Sequence, residues 1–541
     1  MRKVSILDCT LRDGGYINDF KFGRQTIIDM IDGLGKASID IIECGFLKSG
    51  CSDKDQTLFS AIETIKDYIG EKAPNSIYVA MIQYGAIKID EICDYDGKSV
   101  DGIRITFHEH EIEQAFTLGK GIMNKGYKVF MQPVGTTSYE DAALIYLIKK
   151  INALKPYAFY MVDTLGTMYK NDLLRMFYIV DHNLDKRIAL GFHSHNNLQM
   201  SFANAQELAQ INTTRNLIID SSVLGMGRGA GNLNTELLVQ YLNVNQGLKY
   251  DVFKIMNLMD QYIKPLSVHY KWGYDAAYYL AAVSECHPNY ASFLLNRQTL
   301  QIRDIGTILN GLDPQKRSLF DKKYIQEEYR KYMDYSVDDT EVCEHLKAMV
   351  GTKKILLIAP GKSIKTETVR VNQLIADDTF FVVSINFFPE KIPIDLIFIS
   401  NMKRFQNTRD FSAGHSINTI VTSNIKNAGD RYWIVNYSSY LNEESTIADN
   451  AGIMCINLLK KIGAKEFLLA GFDGFSDNIK ENFYEESLYF DVEEERLAKM
   501  NIAMANKIAQ LRKQVTITFF APSTYDAKNI VSQKVRGKTN G

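Results

Sequence analysis

The sequence predicts an α/β chain of two parts: a (β/α)8 TIM barrel with a helical extension, then a second, Rossmann-like α/β domain. Three observations predict it. Short apolar runs alternate with longer amphipathic stretches eight times before residue 250. The chemically active polar residues fall where those apolar runs end. After a charged stretch, the same alternation starts again at Lys354.

The predicted strands are 4–8, 39–46, 77–82, 102–107, 128–134, 158–163, 188–193 and 217–223. Each is a brief apolar run of the kind that a strand buried on both faces shows. Helical periodicity lies between them at 24–36, 54–70, 109–125, 139–153, 170–183 and 198–211, and the connection between the third and fourth strands shows no clear pattern. Eight strand–helix units in about 240 residues match the count and size of a closed barrel. Periodicity alone does not separate closure from a doubly wound open sheet.

A barrel carries its chemistry at the C-terminal ends of its strands. Arg12 and Asp13 follow the first strand, Glu43 lies in the second and His108 follows the fourth. Gln132 lies in the fifth, Asp163 and Thr164 end the sixth, and His193 and His195 end the seventh. Residues two apart on a strand point the same way, so the two imidazoles of Gly191-Phe192-His193-Ser194-His195-Asn196-Asn197 address one point. With Asp13 they form a carboxylate–imidazole set without thiolate, suited to Mn2+ or Mg2+, with Zn2+, Fe2+ and Co2+ also compatible. After the eighth strand comes Gly225-Met226-Gly227-Arg228-Gly229-Ala230-Gly231-Asn232, whose glycines allow close backbone approach to a ligand. Arg228 is a candidate substrate-binding residue, and Asn232 a further metal ligand through its amide oxygen.

Asp8-Cys9-Thr10-Leu11-Arg12-Asp13-Gly14-Gly15, His193-Ser194-His195-Asn196-Asn197 and Gly227-Arg228-Gly229-Ala230-Gly231-Asn232 resemble the three signatures of the DRE-TIM metallolyase superfamily. That group includes 3-hydroxy-3-methylglutaryl-CoA lyase, isopropylmalate and homocitrate synthases, and 4-hydroxy-2-oxovalerate aldolase. The resemblance covers roughly residues 1–300 and is nearest in flavour to the oxovalerate aldolases. It implies that Asp13, His193 and His195 bind the metal with Asn232 nearby, and that Arg12 neutralises an enolate oxygen. Gln132, Asp163 and Thr164 then join Arg228 in binding substrate. A Schiff-base aldolase is the mechanistic rival. Nothing marks Lys48, the lysine nearest a strand end, as activated.

One position departs from the family pattern. Where the oxovalerate aldolases carry a basic histidine a few residues after Arg-Asp, this chain has Tyr16. A phenol, ordinarily of pKa about 10, is a poor base at neutral pH. Tyr16 then orients substrate or donates a proton, and Glu43, His108 or a metal-bound water is left for the base. Within the tyrosine-rich extension, His287-Pro288-Asn289-Tyr290 resembles the helical cover of the aldolase branch, which places Tyr290 at the site; a core aromatic is the equal alternative.

The division expected is 1–250 for the barrel, 251–312 for the extension, 313–353 for a charged helical linker and 354–541 for the second domain. In the last, Ile358-Ala359-Pro360-Gly361-Lys362-Ser363 enters a tight turn without full Walker or Gly-x-Gly-x-x-Gly spacing. Further strands are expected at 380–387, 395–400, 417–422, 432–437, 466–471 and 515–520. With Gly471-Phe472-Asp473-Gly474, this pattern faintly resembles bacterial sialyltransferase and motility-accessory-factor glycosyltransferases. On that resemblance Gly361, Ser363, Asn386 and Asp473 line a nucleotide-sugar pocket; a degenerate domain used for assembly is the equal alternative.

Composition narrows the partners. A net charge of −2 over 541 residues gives no reason to propose nucleic acid. No apolar stretch reaches the roughly 20 residues of a membrane span. The seven scattered cysteines lack Cys-x-x-Cys spacing, which fits a reducing cytoplasm rather than a disulfide scaffold. The expected function is a metal-dependent aldolase-type lyase using a 2-oxo acid and an aldehyde in a homo-oligomer, with surface-carbohydrate synthesis as the setting that the fusion suggests. The alternatives are a Claisen-type acyl-CoA synthase or oxo-acid decarboxylase on the same barrel, and a nucleotide-sugar glycosyltransferase with the barrel as scaffold.

Overall fold

The computed structural model describes residues 4–526 except 52, 298, 415, 416, 427, 477–481 and 485–493. Eight parallel strands close into a barrel: β1 (Val4–Asp8), β2 (Ile41–Leu47), β3 (Ile77–Gln83), β4 (Gly102–Phe107), β5 (Lys128–Pro133), β6 (Ala158–Asp163), β7 (Ala189–Ser194) and β8 (Leu217–Ser221). Each pairs with its sequence neighbour, and β1 closes the ring by pairing with β2 on one side and β8 on the other. Closure removes the open-sheet alternative.

Helices α1 (Arg24–Lys36), α2 (Ile62–Ile69), α3 (Ile112–Asn124), α4 (Asp141–Leu154), α5 (Lys170–Asn183), α6 (Ser201–Gln210) and α7 (Thr235–Gln246) form the outer layer. Two apolar clusters follow from the strands' period of two. Leu7, Ile41, Val79, Phe130, Tyr160 and Ile218 fill the barrel interior, while Ile6, Ile42, Ile103, Met131, Phe159 and Ile219 pack outward in the larger cluster that includes helix residues. Gly191 belongs to the inner column because a Cβ there would meet the Tyr160 ring at 2.4 Å.

Two elements differ from expectation. α2 begins eight residues after the expected start, because Leu58–Phe59 pairs with Phe46 and Leu47 at the end of β2 instead of coiling. Between β3 and β4 there is a three-residue 3₁₀ turn, Ile89–Glu91, in place of a barrel helix.

The chain divides into two compact units. Met1–Ser292 with Leu309–Asp321 forms one, and Phe293–Ile308 with Lys322–Gly541 forms the other. Helices Lys322–Met333 and Thr340–Val350 therefore belong with the second unit: Ile325, Tyr329 and Leu346 are buried, and Tyr329 bonds Thr299. The second unit carries a seven-stranded parallel sheet: β9 (Lys354–Ile358), β10 (Phe380–Ile385), β11 (Leu396–Ile399), β12 (Asn418–Thr422), β13 (Trp433–Val435), β14 (Glu466–Ala470) and β15 (Thr516–Phe519). Its order is β13-β12-β11-β10-β9-β14-β15, with every pairing parallel. Among the described residues, no helix is long and apolar enough to cross a membrane.

Candidate metal centre

Asp13, His193 and His195 converge at the C-terminal mouth of the barrel. One ligand atom from each lies within 4.8 Å of the others, and all three residues are buried. His193 ends the inward column of β7, and His195 Nε2 sits 3.9 Å from Asp13 Oδ2. Asn232 Nδ2 donates to Asp13 Oδ2 at 2.9 Å and to the Met226 carbonyl, bringing the glycine loop onto the same carboxylate. Gly231 makes that approach possible: at φ +84°, a Cβ would lie 2.1 Å from the Gly225 oxygen.

These ligands are held by a buried chain of ion pairs. Arg12 donates through Nη1 to Asp13 at 2.5 Å and through Nε to Glu43 at 2.8 Å. Glu43 also faces Arg104 Nη1 at 2.8 Å, Arg104 Nη2 reaches Asp220 at 2.5 Å, and Asp220 Oδ2 accepts from His193 Nδ1 at 3.0 Å. The chain thus runs from Asp13 through Arg12, Glu43, Arg104 and Asp220 to His193. With Nδ1 engaged, His193 presents Nε2 toward the cluster, the usual way a carboxylate orients a metal-binding imidazole.

The electrostatics keep the donors in ligand form. Burial alone would raise the Asp13 pKa, but Arg12, then His195, His193 and Arg228, hold it well below the carboxylate range. Burial lowers His195 to about 3 against the pull of Asp13, so its ring is neutral at neutral pH. Burial pushes the Cys9 thiol well up, which leaves it protonated, donating to the Ser221 carbonyl.

The residues fit a divalent ion. Asn232 Oδ1 is buried without a hydrogen-bond partner, a hard oxygen beside the Asp13 carboxylate. Burying such an acceptor unsatisfied costs free energy that a cation would recover. Arg12 Nη2 is likewise a buried donor without a partner, adjacent to the same carboxylate.

Other expected site residues take various positions. Arg228 lies 4.0 Å above the Tyr16 ring, and Tyr16 packs edge-on against Phe20 and Phe46. Gln132 is buried with its Oε1 unpartnered. Asp163 accepts from the Thr167 and Met168 amides and Thr164 from the Gly135 amide, so both brace the loops after β6 and β5. Glu43 is held between the guanidinium groups of Arg12 and Arg104, 2.8 Å from each. The His108 ring stacks on His110 at 5.7 Å. Tyr290 is fully buried; its hydroxyl donates toward the Lys316 and Leu319 carbonyls and accepts from the Asp321 amide. These bonds tie the backbone of the extension together around the Tyr290 hydroxyl.

Arg104 and Asp220 were absent from the expected set. Their signal was a charged residue in inward register within an apolar strand, Ile103-Arg104-Ile105 and Ile218-Ile219-Asp220. His287 is another: it is mostly buried, its pKa is lowered to about 3 by burial and then by Arg228, and its Nδ1 accepts from the Asn289 amide.

The parallel barrel thus carries a carboxylate–bis-imidazole cluster at the C-terminal ends of its strands. Residues 3–261 match the HMGL-like family model, and the barrel belongs to that family within the DRE-TIM metallolyase superfamily. The chain is 28% identical over 249 residues to an oxaloacetate decarboxylase of Mycobacterium tuberculosis, covering 44% of this chain and 70% of that protein. It is also 28% identical over 284 residues to a 4-hydroxy-2-oxovalerate aldolase of Chloroflexus aurantiacus, covering 49% and 77%. Among solved structures, an HMG-CoA lyase from Brucella melitensis aligns with a TM-score of 0.40 and 16% identity over 49% of this chain and 99% of that one.

Proposed function

We propose that the barrel is a divalent-metal-dependent carbon–carbon lyase acting on a small 2-oxo acid. The observation that carries this reading is the convergence of Asp13, His193 and His195 beside the unpartnered Nη2 of Arg12. Asp13, His193, His195 and Asn232 would hold the ion, Mn2+ or Mg2+ by donor type, and the ion would supply Lewis-acid polarisation of the substrate carbonyl. Arg12, fixed at two corners by Glu43 and Asp13, directs its third nitrogen to the oxygen on which negative charge develops as the bond breaks. A preorganised donor of this kind typically contributes roughly 3–4 kcal/mol. The names of the aldolase and decarboxylase relatives support the same reaction class.

Position 16 favours decarboxylation of a 2-oxo dicarboxylate as a second reading. Retro-aldol cleavage requires a base for the substrate hydroxyl, and here a phenol stacked under Arg228 stands at that position. Loss of CO2 needs no such base: the C–CO2 bonding pair passes to the 2-oxo system, and the carbon then takes a proton. Arg228 is suited to hold the departing carboxylate.

The test is to incubate Mn2+- or Mg2+-loaded protein separately with a 4-hydroxy-2-oxo acid and with oxaloacetate, following pyruvate by NMR. Pyruvate release above the rate of the free ion, abolished in Asp13→Ala, is expected. Turnover of neither substrate beyond the free-ion rate contradicts the proposal.

A further inference from the structure

The second unit holds a cavity of about 730 Å³ that the barrel chemistry does not use. We infer that it is a binding site for a nucleoside phosphate, gripped by Arg297, Lys403 and Arg404. The inference stands on topology, size and charge.

β9 is followed by β10 to β13 on one side and flanked by β14 on the other, so the strand order reverses between β9 and β14. The residues just beyond those two strands, Gly361 and Asp473, line the cavity, as does Asn386 beyond β10. In open parallel sheets, ligands bind in this crevice, outside the carboxyl ends of the strands at the reversal. The two strand exits nearly touch. A Cβ on Gly361 would lie 2.2 Å from the Gly471 oxygen, and one on Gly471, at φ +72°, would lie 2.1 Å from the Ala359 oxygen. The volume falls in the ordinary range of small-molecule sites, roughly 300–1,000 Å³.

Arg297, Lys403 and Arg404 bring three cationic side chains to the lining, against the carboxylates of Asp449 and Asp473. Asp473 is already committed: its two oxygens accept from the amide and hydroxyl of Ser363 at 2.8 and 2.5 Å. That contact caps helix Ser363–Ile375 and occupies the tight turn after β9. An incoming anion is therefore directed to the opposite wall, where Lys403 and Arg404 lie in the first turn of helix Met402–Gly414. Asn401 caps that helix through the Lys403 and Arg404 amides, and Asn450 caps helix Ala451–Lys461 beside it, so the positive ends of both helix dipoles face the cavity. Guanidinium and ammonium groups together match phosphate oxygens. Arg297 is preorganised by stacking on Phe293 at 4.7 Å and Tyr329 at 5.1 Å. Leu295, Phe472, Phe475 and Met504 give the cavity an apolar wall for a base.

The test is calorimetric titration of the full-length protein with CMP, UDP and ADP, their parent nucleosides, and inorganic pyrophosphate. At least one nucleotide should bind at one site per chain, at least tenfold tighter than its nucleoside and than pyrophosphate. Arg404→Gln and Lys403→Gln should each weaken it about tenfold or more, whereas Asp13→Ala in the barrel should leave it unchanged. Lys403 is exposed, so its variant remains informative if the half-buried Arg404 cannot be replaced without unfolding. The inference is overturned if no nucleotide binds, if pyrophosphate binds as tightly as every nucleotide, or if affinity is indifferent to Lys403→Gln.

Discussion

Replacing Asp220 with Asn tests the buried ion-pair chain at its most informative link. The carboxylate accepts from His193 Nδ1 at 3.0 Å and from Arg104 Nη2 at 2.5 Å, and the residue is 2% exposed. Asn keeps the shape but removes the charge, so the buried Arg104 retains only Glu43 as a counter-ion. Removing one partner of a buried pair costs roughly 3–5 kcal/mol. Because Arg104 keeps its second carboxylate, the lower figure applies, about 3 kcal/mol. At roughly 2–4 °C per kcal/mol for a unit of this kind, the melting temperature should fall by about 6–12 °C. The orienting bond to His193 weakens at the same time, and loss of such a bond typically lowers metal affinity by about 10–100-fold. Chelator competition well below the melting point reads the second effect, and thermal unfolding of the metal-free protein reads the first. Parental metal affinity together with a melting temperature within about 2 °C of the parent would refute the reasoning, since neither the pairing energy nor the orientation would then depend on this carboxylate.

Gly231→Ala should weaken metal binding without touching a ligand, because the new Cβ meets the Gly225 oxygen at 2.1 Å and moves Asn232; a parental affinity in chelator competition would show that the loop absorbs it. Tyr290→Phe should destabilise the protein by roughly 1–3 kcal/mol while leaving kcat intact, because the lost hydroxyl serves the extension's backbone. A large fall in kcat at unchanged stability would return Tyr290 to the site. Asp8 is buried, and burial raises its pKa to about 6 despite hydrogen bonds from Thr10 and Thr235. The folded state therefore holds the Asp8 proton at pH values where the unfolded chain has released it, and this contribution to stability is lost as pH rises from about 4 through 6. The melting temperature of Asp8→Asn relative to the parent should accordingly improve between pH 4.5 and pH 7, by an amount on the order of 2 kcal/mol in free energy. A pH-independent difference would contradict the sign.

The barrel was legible because its strands are buried on both faces and read as apolar runs bounded by polar ends, so all eight were located within two residues or so at either boundary. The same holds for β9 to β15. Residues 54–61 misled because their amphipathic spacing continues into α2, while Gly45, at φ +148° with Thr57 against it, turns the segment onto β2. The convergence of Asp13, His193 and His195 was legible from spacing and motif. Glu43 was located at the site, but its clamp between Arg12 and Arg104 was not legible, because Arg104 comes from β4 and tertiary ion pairing leaves no local pattern. The hydrogen bonds of Tyr290 were not legible because helical periodicity places an aromatic on a buried face without saying which atoms its hydroxyl meets.

Exchange of the pyruvate methyl protons with D2O, followed by NMR in the presence of Mg2+, tests the central claim most directly. It isolates enolisation from the identity of the second substrate. The metal centre built by Asp13, His193 and His195 should give exchange well above the ion alone, and Asp13→Ala or His193→Ala should reduce it to the ion-only rate. Exchange that persists in either folded variant, or that never exceeds the free ion in the parent, would contradict it.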